Sequence, residues 1–119
     1  MSSAQLSFPP AARLRRTADY RRTYKEGSKF VGPLFAAFYR PNEPGEPARV
    51  GYTTPRSMGK AVVRNRIKRR MREAVRLRLA GLTPGWDVVF NPRRSVLDAA
   101  FDRLMGEVDR LFHVLRSKA

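Results

Sequence analysis

Ten basic residues fall between Arg56 and Arg78 with a single acid, Glu73, among them. Arg64, Lys68, Arg72 and Arg76 recur at every fourth position, so on a helix they form one row. Arg66, Arg69 and Arg70 widen that row, and Lys60 stands just ahead of it. A guanidinium is a planar fork that meets two phosphate oxygens at once, so such a row suits the backbone of a nucleic-acid strand. The plain alternative is a solvated helix face. A merely solvated face would mix signs to relieve i,i+4 repulsion, and this one does not. Asn65 is the odd residue among the arginines. Its amide can meet a base edge or a phosphate, or simply be tolerated there.

The aromatics Tyr20, Tyr24, Phe35, Phe38, Tyr39 and Tyr52 interleave with the basic residues. Unpaired bases stack on such rings, which holds a single strand without reading its sequence. The same rings could equally be core. Strand alternation puts Phe35 and Tyr39 on one sheet face and Phe38 on the other, so they cannot all be core. Tyr rather than Phe at positions 20 and 24 favours a partly wet place, because each hydroxyl needs a partner.

Protein-borne catalysis has little material. The sequence has no cysteine and one histidine, His113. That excludes disulfides, thiolate sites and multi-histidine metal clusters. His113 stands near the end of the last expected helix, where a positive charge suits the helix C-terminus better than it suits a general base. Asp98 and Asp102 form an i,i+4 carboxylate pair that could hold magnesium. In the first turns of a helix, capping and dipole stabilisation explain them better. No set of nucleophile, base and orienting group can be assembled.

The whole chain carries this bias. Its 119 residues hold 25 basic and 10 acidic side chains, for a net charge of +15. Such self-repulsion points to a polyanionic partner: nucleic acid first, an anionic membrane surface or an acidic protein after it. No apolar run approaches the roughly 18 residues that a membrane span needs. Residues 1–12 lack the basic and apolar regions of a secretory signal and read as a flexible lead-in, so a cytoplasmic location is expected. Residues 13–119 are expected to form one nucleic-acid-binding domain with one core.

The elements that must position these residues follow from pattern. Thr17 as N-cap and Gly27 as stop frame a helix over 18–26, with Tyr20 and Tyr24 on one face. Residues 30–40 read as one strand with Pro33 at its start or on an edge. Residues 48–54 read as a second strand, paired with the first as a hairpin across the turn formers of 41–47. The basic segment, 60–79, is a helix about 27 Å long, with Val63, Ile67, Met71, Ala74, Val75 and Leu79 as its apolar side. Gly81 and Pro84 end it. Residues 86–91 form a third strand with Trp86, Val88 and Phe90 on one face. Ser95 and Asp98 have capping-box spacing ahead of a helix whose stripe is Leu97, Phe101, Leu104, Val108, Leu111 and Leu115. The expected fold is an α+β two-layer sandwich, in the order α-β-β-α-β-α, with helices packed on a central sheet.

At AVVRNRIKRRMRE, residues 61–73, the chain resembles the protein component of bacterial ribonuclease P. That family's helix has the pattern G-K-A-V-x-R-N-x-x-K-R-x-x-R-E. Gly59, Lys60, Ala61, Val62, Arg64, Asn65, Lys68, Arg69, Arg72 and Glu73 match it. The likeness extends upstream through R-L-x-x-x-x-D-Y-x-x-x-Y-x-x-G, from Arg13 to Gly27, and through ARVGY, and downstream through WDVVF. One departure stands out: Thr54-Pro55-Arg56-Ser57-Met58 lies where the family usually has V-S-K-K-x, so Pro55 and Ser57 replace a Ser and a Lys.

The resemblance implies an endoribonuclease subunit whose catalyst is a partner RNA. That RNA holds magnesium and hydrolyses a phosphodiester to release the 5′ leader of precursor tRNA. It implies that Lys60, Arg64, Asn65, Arg66, Lys68, Arg69 and Arg72 lie against RNA. It further implies that Tyr20, Tyr24 and Phe38 line a cleft for the single-stranded leader. It also implies a left-handed crossover around the basic helix, against the usual right-handed rule. The partners would be the catalytic RNA and precursor tRNA, with no membrane and no small-molecule substrate, and no protein side chains alone would bind magnesium. The rival reading is a ribosomal-type structural RNA-binding protein with no part in cleavage; a general DNA-compacting protein is a weaker one.

Overall fold

The computed structural model describes residues 13–14, 16–78 and 85–118. The lead-in at 1–12, Leu79 and the helix stop at Gly81 and Pro84 lie outside the described residues. Helices α1 (Thr17–Glu26), α2 (Ala61–Arg78) and α3 (Phe101–Lys118) accompany strands β1 (Ser28–Val31), β2 (Phe35–Pro41), β3 (Arg49–Tyr52) and β4 (Trp86–Pro92). The α-β-β-α-β-α order holds with one addition, the short β1. What reads as one strand from Phe30 is a tight hairpin, β1 against β2 with Val31 opposite Ala36. Its turn at 32–34 is closed by the Gly32 N–H donating to Phe35 O at 2.9 Å.

The expected hairpin between the strands at 30–40 and 48–54 does not form. The sheet order is β1-β2-β4-β3, so β4 lies between β2 and β3. It runs antiparallel to β2 and parallel to β3. Burial explains the order. Of the seven β4 residues, only Asn91 is not fully buried. A strand buried on both faces needs neighbours on both edges and cover on both sides. The connection at 42–48 has only to cross one intervening strand, about 10 Å at the usual strand spacing.

Asp87, with no exposure, locks this arrangement from the middle of β4. Arg49 of β3 grips it with two bonds, Nε to Oδ1 at 2.9 Å and a terminal nitrogen to Oδ2 at 2.8 Å. Arg40 of β2 approaches from the other side at 3.7 Å, and Asn42 donates at 3.2 Å. A buried carboxylate is tolerated only with such partners.

One sheet face, with Phe35, Ala37, Tyr39, Val50, Val88 and Phe90, packs with α2 and α3 as the core. Ile67, Met71, Ala74 and Val75 supply the α2 side, as the periodicity predicts, while Val63 is half-buried. The α3 stripe is buried from Leu104 to Leu115, and Leu97 and Phe101 pack at its margin. Glu107 is also buried in this helix, where it accepts the backbone N–H groups of Leu34 and Phe35 at 3.0 and 2.9 Å and anchors the β1–β2 turn.

Two expected caps are replaced. The α1 N-cap is Arg16, in extended conformation and without a side-chain cap bond, and Thr17 is already helical. The Ser95–Asp98 capping box does not form. Arg94–Leu97 is a 3-10 turn wound around the fully buried Val96, and Ser95 Oγ donates to Pro33 O at 3.3 Å. Burying Val96 tightens the turn, so α3 starts at Phe101 instead.

Candidate nucleic-acid interface

The N-terminal end of α2 is set by Gly59, whose φ of +141° is open to glycine and strained for other residues. Arg94 donates to Met58 O at 2.8 Å and fixes the preceding 3-10 turn, Arg56–Met58. With its apolar stripe turned to the core, α2 presents its cations outward, and they divide into two groups. Arg70 donates to Ala99 O and lies over the Phe101 ring. Arg76 pairs with Glu73, and Arg78 with Asp109 at 2.9 Å. These three are engaged in holding the fold, so the row loses Arg76.

Lys60, Arg64, Arg66, Lys68, Arg69 and Arg72 have no ion pair or side-chain hydrogen bond among the described residues. Arg64 Nε is shielded from solvent without a partner among the described residues, as are those of Arg70 and Arg76. Asn65, Arg66, Arg69 and Arg72 are exposed. The arginines of this group are forks with no anion to grip among the described residues.

The second sheet face carries α1. Phe38 of β2 and Val89 of β4 are opposite each other, Gly51 of β3 is opposite Val89, and all three point to this side. Tyr24 meets Phe38 edge-on at 4.8 Å, and Lys29 Nζ lies 5.4 Å from the Phe38 ring centre. The Tyr24 hydroxyl donates to Asn91 Oδ1 at 2.8 Å and shares a 2.9 Å bond with Thr53 Oγ1. Tyr20 sits over Gly51 so closely that a Cβ there would lie 2.3 Å from its hydroxyl oxygen. Its hydroxyl makes a long bond, 3.4 Å, to Leu14 O and also lies against the Tyr52 backbone. Tyr20, Tyr24 and Phe38 are half-buried and stand outside the main core cluster. Asp19 of α1 pairs with Arg49 at 3.5 Å, which ties the helix to the sheet edge.

A cavity of about 110 Å³ joins the two surfaces, with Tyr20 of α1, Gly51 and Tyr52 of β3 and Arg72 of α2 in its wall, together with Arg13. Burial pushes the Tyr20 and Tyr52 phenols up from their ordinary value, Tyr52 far more despite the opposing charge of Arg72. Both therefore keep their protons at neutral pH.

Sequence reasoning missed Lys29, Thr53 and Asn91 as supports of the aromatic face. Lys29 would have been found had β1 been separated from β2, since the pairing sets Lys29 opposite Phe38. Nothing local marks Thr53 or Asn91. The acidic pair is not a pair on one helix: Asp98 closes the 3-10 turn and Asp102 is the second residue of α3. His113 is exposed on α3, more than a turn before its end. No group of three His, Cys, Asp or Glu side chains suited to a metal ion occurs among the described residues. Nor is any helix there long and apolar enough to cross a membrane.

A family model described as Ribonuclease P matches residues 8–116. The ribonuclease P protein component of Chloroflexus aggregans is 42% identical over 102 residues, 85% of this chain and 75% of that one. That of Symbiobacterium thermophilum is 37% identical, covering 86% and 89%. The solved ribonuclease P protein of Thermotoga maritima superposes with a TM-score of 0.74 at 30% identity, over 84% of this chain and 94% of that one. The Staphylococcus aureus ribonuclease P protein has the same fold, with a TM-score of 0.74 at 23% identity, over 87% and 94%.

Proposed function

The chain belongs to the ribonuclease P protein family, and we propose that it binds the catalytic RNA of that ribonucleoprotein and the 5′ leader of precursor tRNA, promoting magnesium-dependent cleavage. The observation that carries this reading is the division of the α2 cations. The three that the fold uses are Arg70, Arg76 and Arg78, whereas Lys60, Arg64, Arg66, Lys68, Arg69 and Arg72 answer no anion among the described residues. Phosphates are the fitting counter-charge, and each one met releases condensed counterions from the RNA.

Beside them, the half-buried rings of Tyr20, Tyr24 and Phe38 offer stacking surfaces to unpaired bases. Tyr24 is held firmly, because Thr53 and Asn91 fix its hydroxyl. A preformed platform loses little freedom on binding. In this division of labour the protein binds and orients, and the hydrolysis belongs to the RNA subunit.

Magnesium supplies charge neutralisation at the reacting phosphodiester when bound to that RNA. The described protein residues do not fit it: Asp98 and Asp102 are exposed, flank the start of α3 and have no third ligand. No step is assigned to a protein-held ion. The compartment that fits this work is the cytoplasm.

Reconstitution with the catalytic RNA tests the reading. At low magnesium, precursor-tRNA cleavage is expected to need both components. A chain that binds RNA and leaves cleavage untouched would favour a structural ribosomal-type role.

A further inference from the structure

We infer that the cavity between α1, β3 and α2 holds one phosphate group of bound RNA, gripped by Arg13, Arg72 and the Tyr52 hydroxyl. The inference rests on the RNA-binding reading above and names a ligand within it.

The cavity wall is unusual in what it leaves unanswered. Neither Arg13 nor Arg72 has an ion pair or side-chain hydrogen bond among the described residues, and no carboxylate lines the space. The Tyr52 hydroxyl is shielded from solvent and has no hydrogen-bond partner among the described residues. Buried polar groups are nearly always bonded, so an orphan of this kind asks for an explanation. Burial keeps the Tyr52 proton in place against the pull of Arg72 and Arg13, so the group is a donor in want of an acceptor.

A donor and two unpaired cations around one space call for a ligand that is all acceptor and negative. A phosphodiester has that chemistry: one non-bridging oxygen for the Tyr52 O–H and the other for the guanidinium forks. The donor is fixed by the sheet, because the Tyr52 ring stacks on Phe90 at 5.6 Å. Gly51, the residue before it, leaves the room in which Tyr20 closes the cavity. The phosphate can come from the leader or from the catalytic RNA, and the group presented is the same.

Tyr52→Phe removes the oxygen alone and keeps the ring stack. The first measurement is the melting temperature of the full chain in sodium chloride and in sodium phosphate at matched ionic strength, for the wild type, Tyr52→Phe, Arg13→Gln and Arg103→Gln. Arg103 is an exposed α3 cation away from the cavity and serves as the charge control. Phosphate is expected to raise the melting point of the wild type and Arg103→Gln by similar amounts, and that of Tyr52→Phe and Arg13→Gln by less. Equal phosphate-dependent rises in all four chains overturn the site.

In the reconstituted holoenzyme, Tyr52→Phe is expected to weaken RNA binding about ten-fold, the scale of a hydrogen bond to a charged group. Loss on precursor but not mature tRNA assigns the phosphate to the leader; loss in assembly with the catalytic RNA assigns it there. No loss in either overturns the site, whereas a wild-type chain that fails to assemble with the RNA at all refutes the RNA-binding reading instead.

Discussion

Phe38→Ala separates a stacking platform from a packed core more cleanly than any other substitution in the aromatic face. In the folded chain Phe38 is half-buried and touches the Tyr24 ring edge-on at 4.8 Å. Removing it forfeits that contact, about 0.5–1.5 kcal/mol, and part of a ring's burial. A fully buried ring such as Phe90, stacked with Tyr52 and edge-on to Phe35, would cost about 3–5 kcal/mol on truncation. The expected stability loss is therefore well below that of Phe90→Ala in the same melting assay. For binding, one stacked base is worth about 1–3 kcal/mol, so affinity for precursor tRNA should fall by roughly ten-fold or more. Mature tRNA lacks the leader, and its affinity should hardly change. The assay is paired equilibrium binding of the mutant holoenzyme to both RNAs, with a melting curve beside it. Equal losses on the two RNAs, or a melting point as low as that of Phe90→Ala, would refute the platform and return Phe38 to packing.

Arg72→Ala should make the dependence of log affinity on log salt shallower by about 0.7–0.9, one phosphate contact, whereas Arg76→Ala, already paired with Glu73, should leave it unchanged; a salt titration of RNA binding reads both. Glu107→Ala leaves the Leu34 and Phe35 N–H groups buried without an acceptor, and denaturant unfolding should show a loss of about 2–5 kcal/mol. His113→Ala and Asp98→Asn/Asp102→Asn should keep single-turnover cleavage within a few-fold of normal, because a general base supplies about 10²–10⁴ in rate. Burial raises the Tyr20 and Tyr52 phenols above their unfolded value, so the folded state retains protons that the unfolded state releases. Stability should therefore fall as pH rises above about 10 and stay flat below it as far as these groups are concerned, and Tyr52→Phe should weaken that alkaline slope.

The helices were legible because their signals are local. The i,i+4 spacing of Arg64, Lys68 and Arg72 and the stripe from Leu104 to Leu115 each sit within one element, and periodicity reads them directly. Strand order was not legible. Alternation says which face Val88 or Tyr39 points to, but not that β4 slots between β2 and β3, a pairing about 50 residues apart in sequence. The β1–β2 turn hid inside an apolar run, since Gly32 and Pro33 sit between segments that both read as strand.

The same divide runs through the site. The Glu73–Arg76 pair is three residues apart and could have been read from spacing, yet Arg70 on Ala99 and Arg78 on Asp109 are tertiary contacts. Which cations are left unpaired therefore emerges only from the fold. Tyr24 is held by partners 29 and 67 residues away, and no pattern around Tyr24 points to them.

On the reading proposed above, the unpaired α2 cations serve RNA in a cleavage reaction. A magnesium titration of precursor-tRNA cleavage tests it most directly, comparing the catalytic RNA alone, with the wild-type chain, and with Arg64→Gln/Lys68→Gln/Arg72→Gln. The wild-type chain should move the titration to lower magnesium, and the triple variant, folded by its melting curve, should lose most of that shift. Superimposed curves for RNA alone and RNA with the wild-type chain would contradict the account.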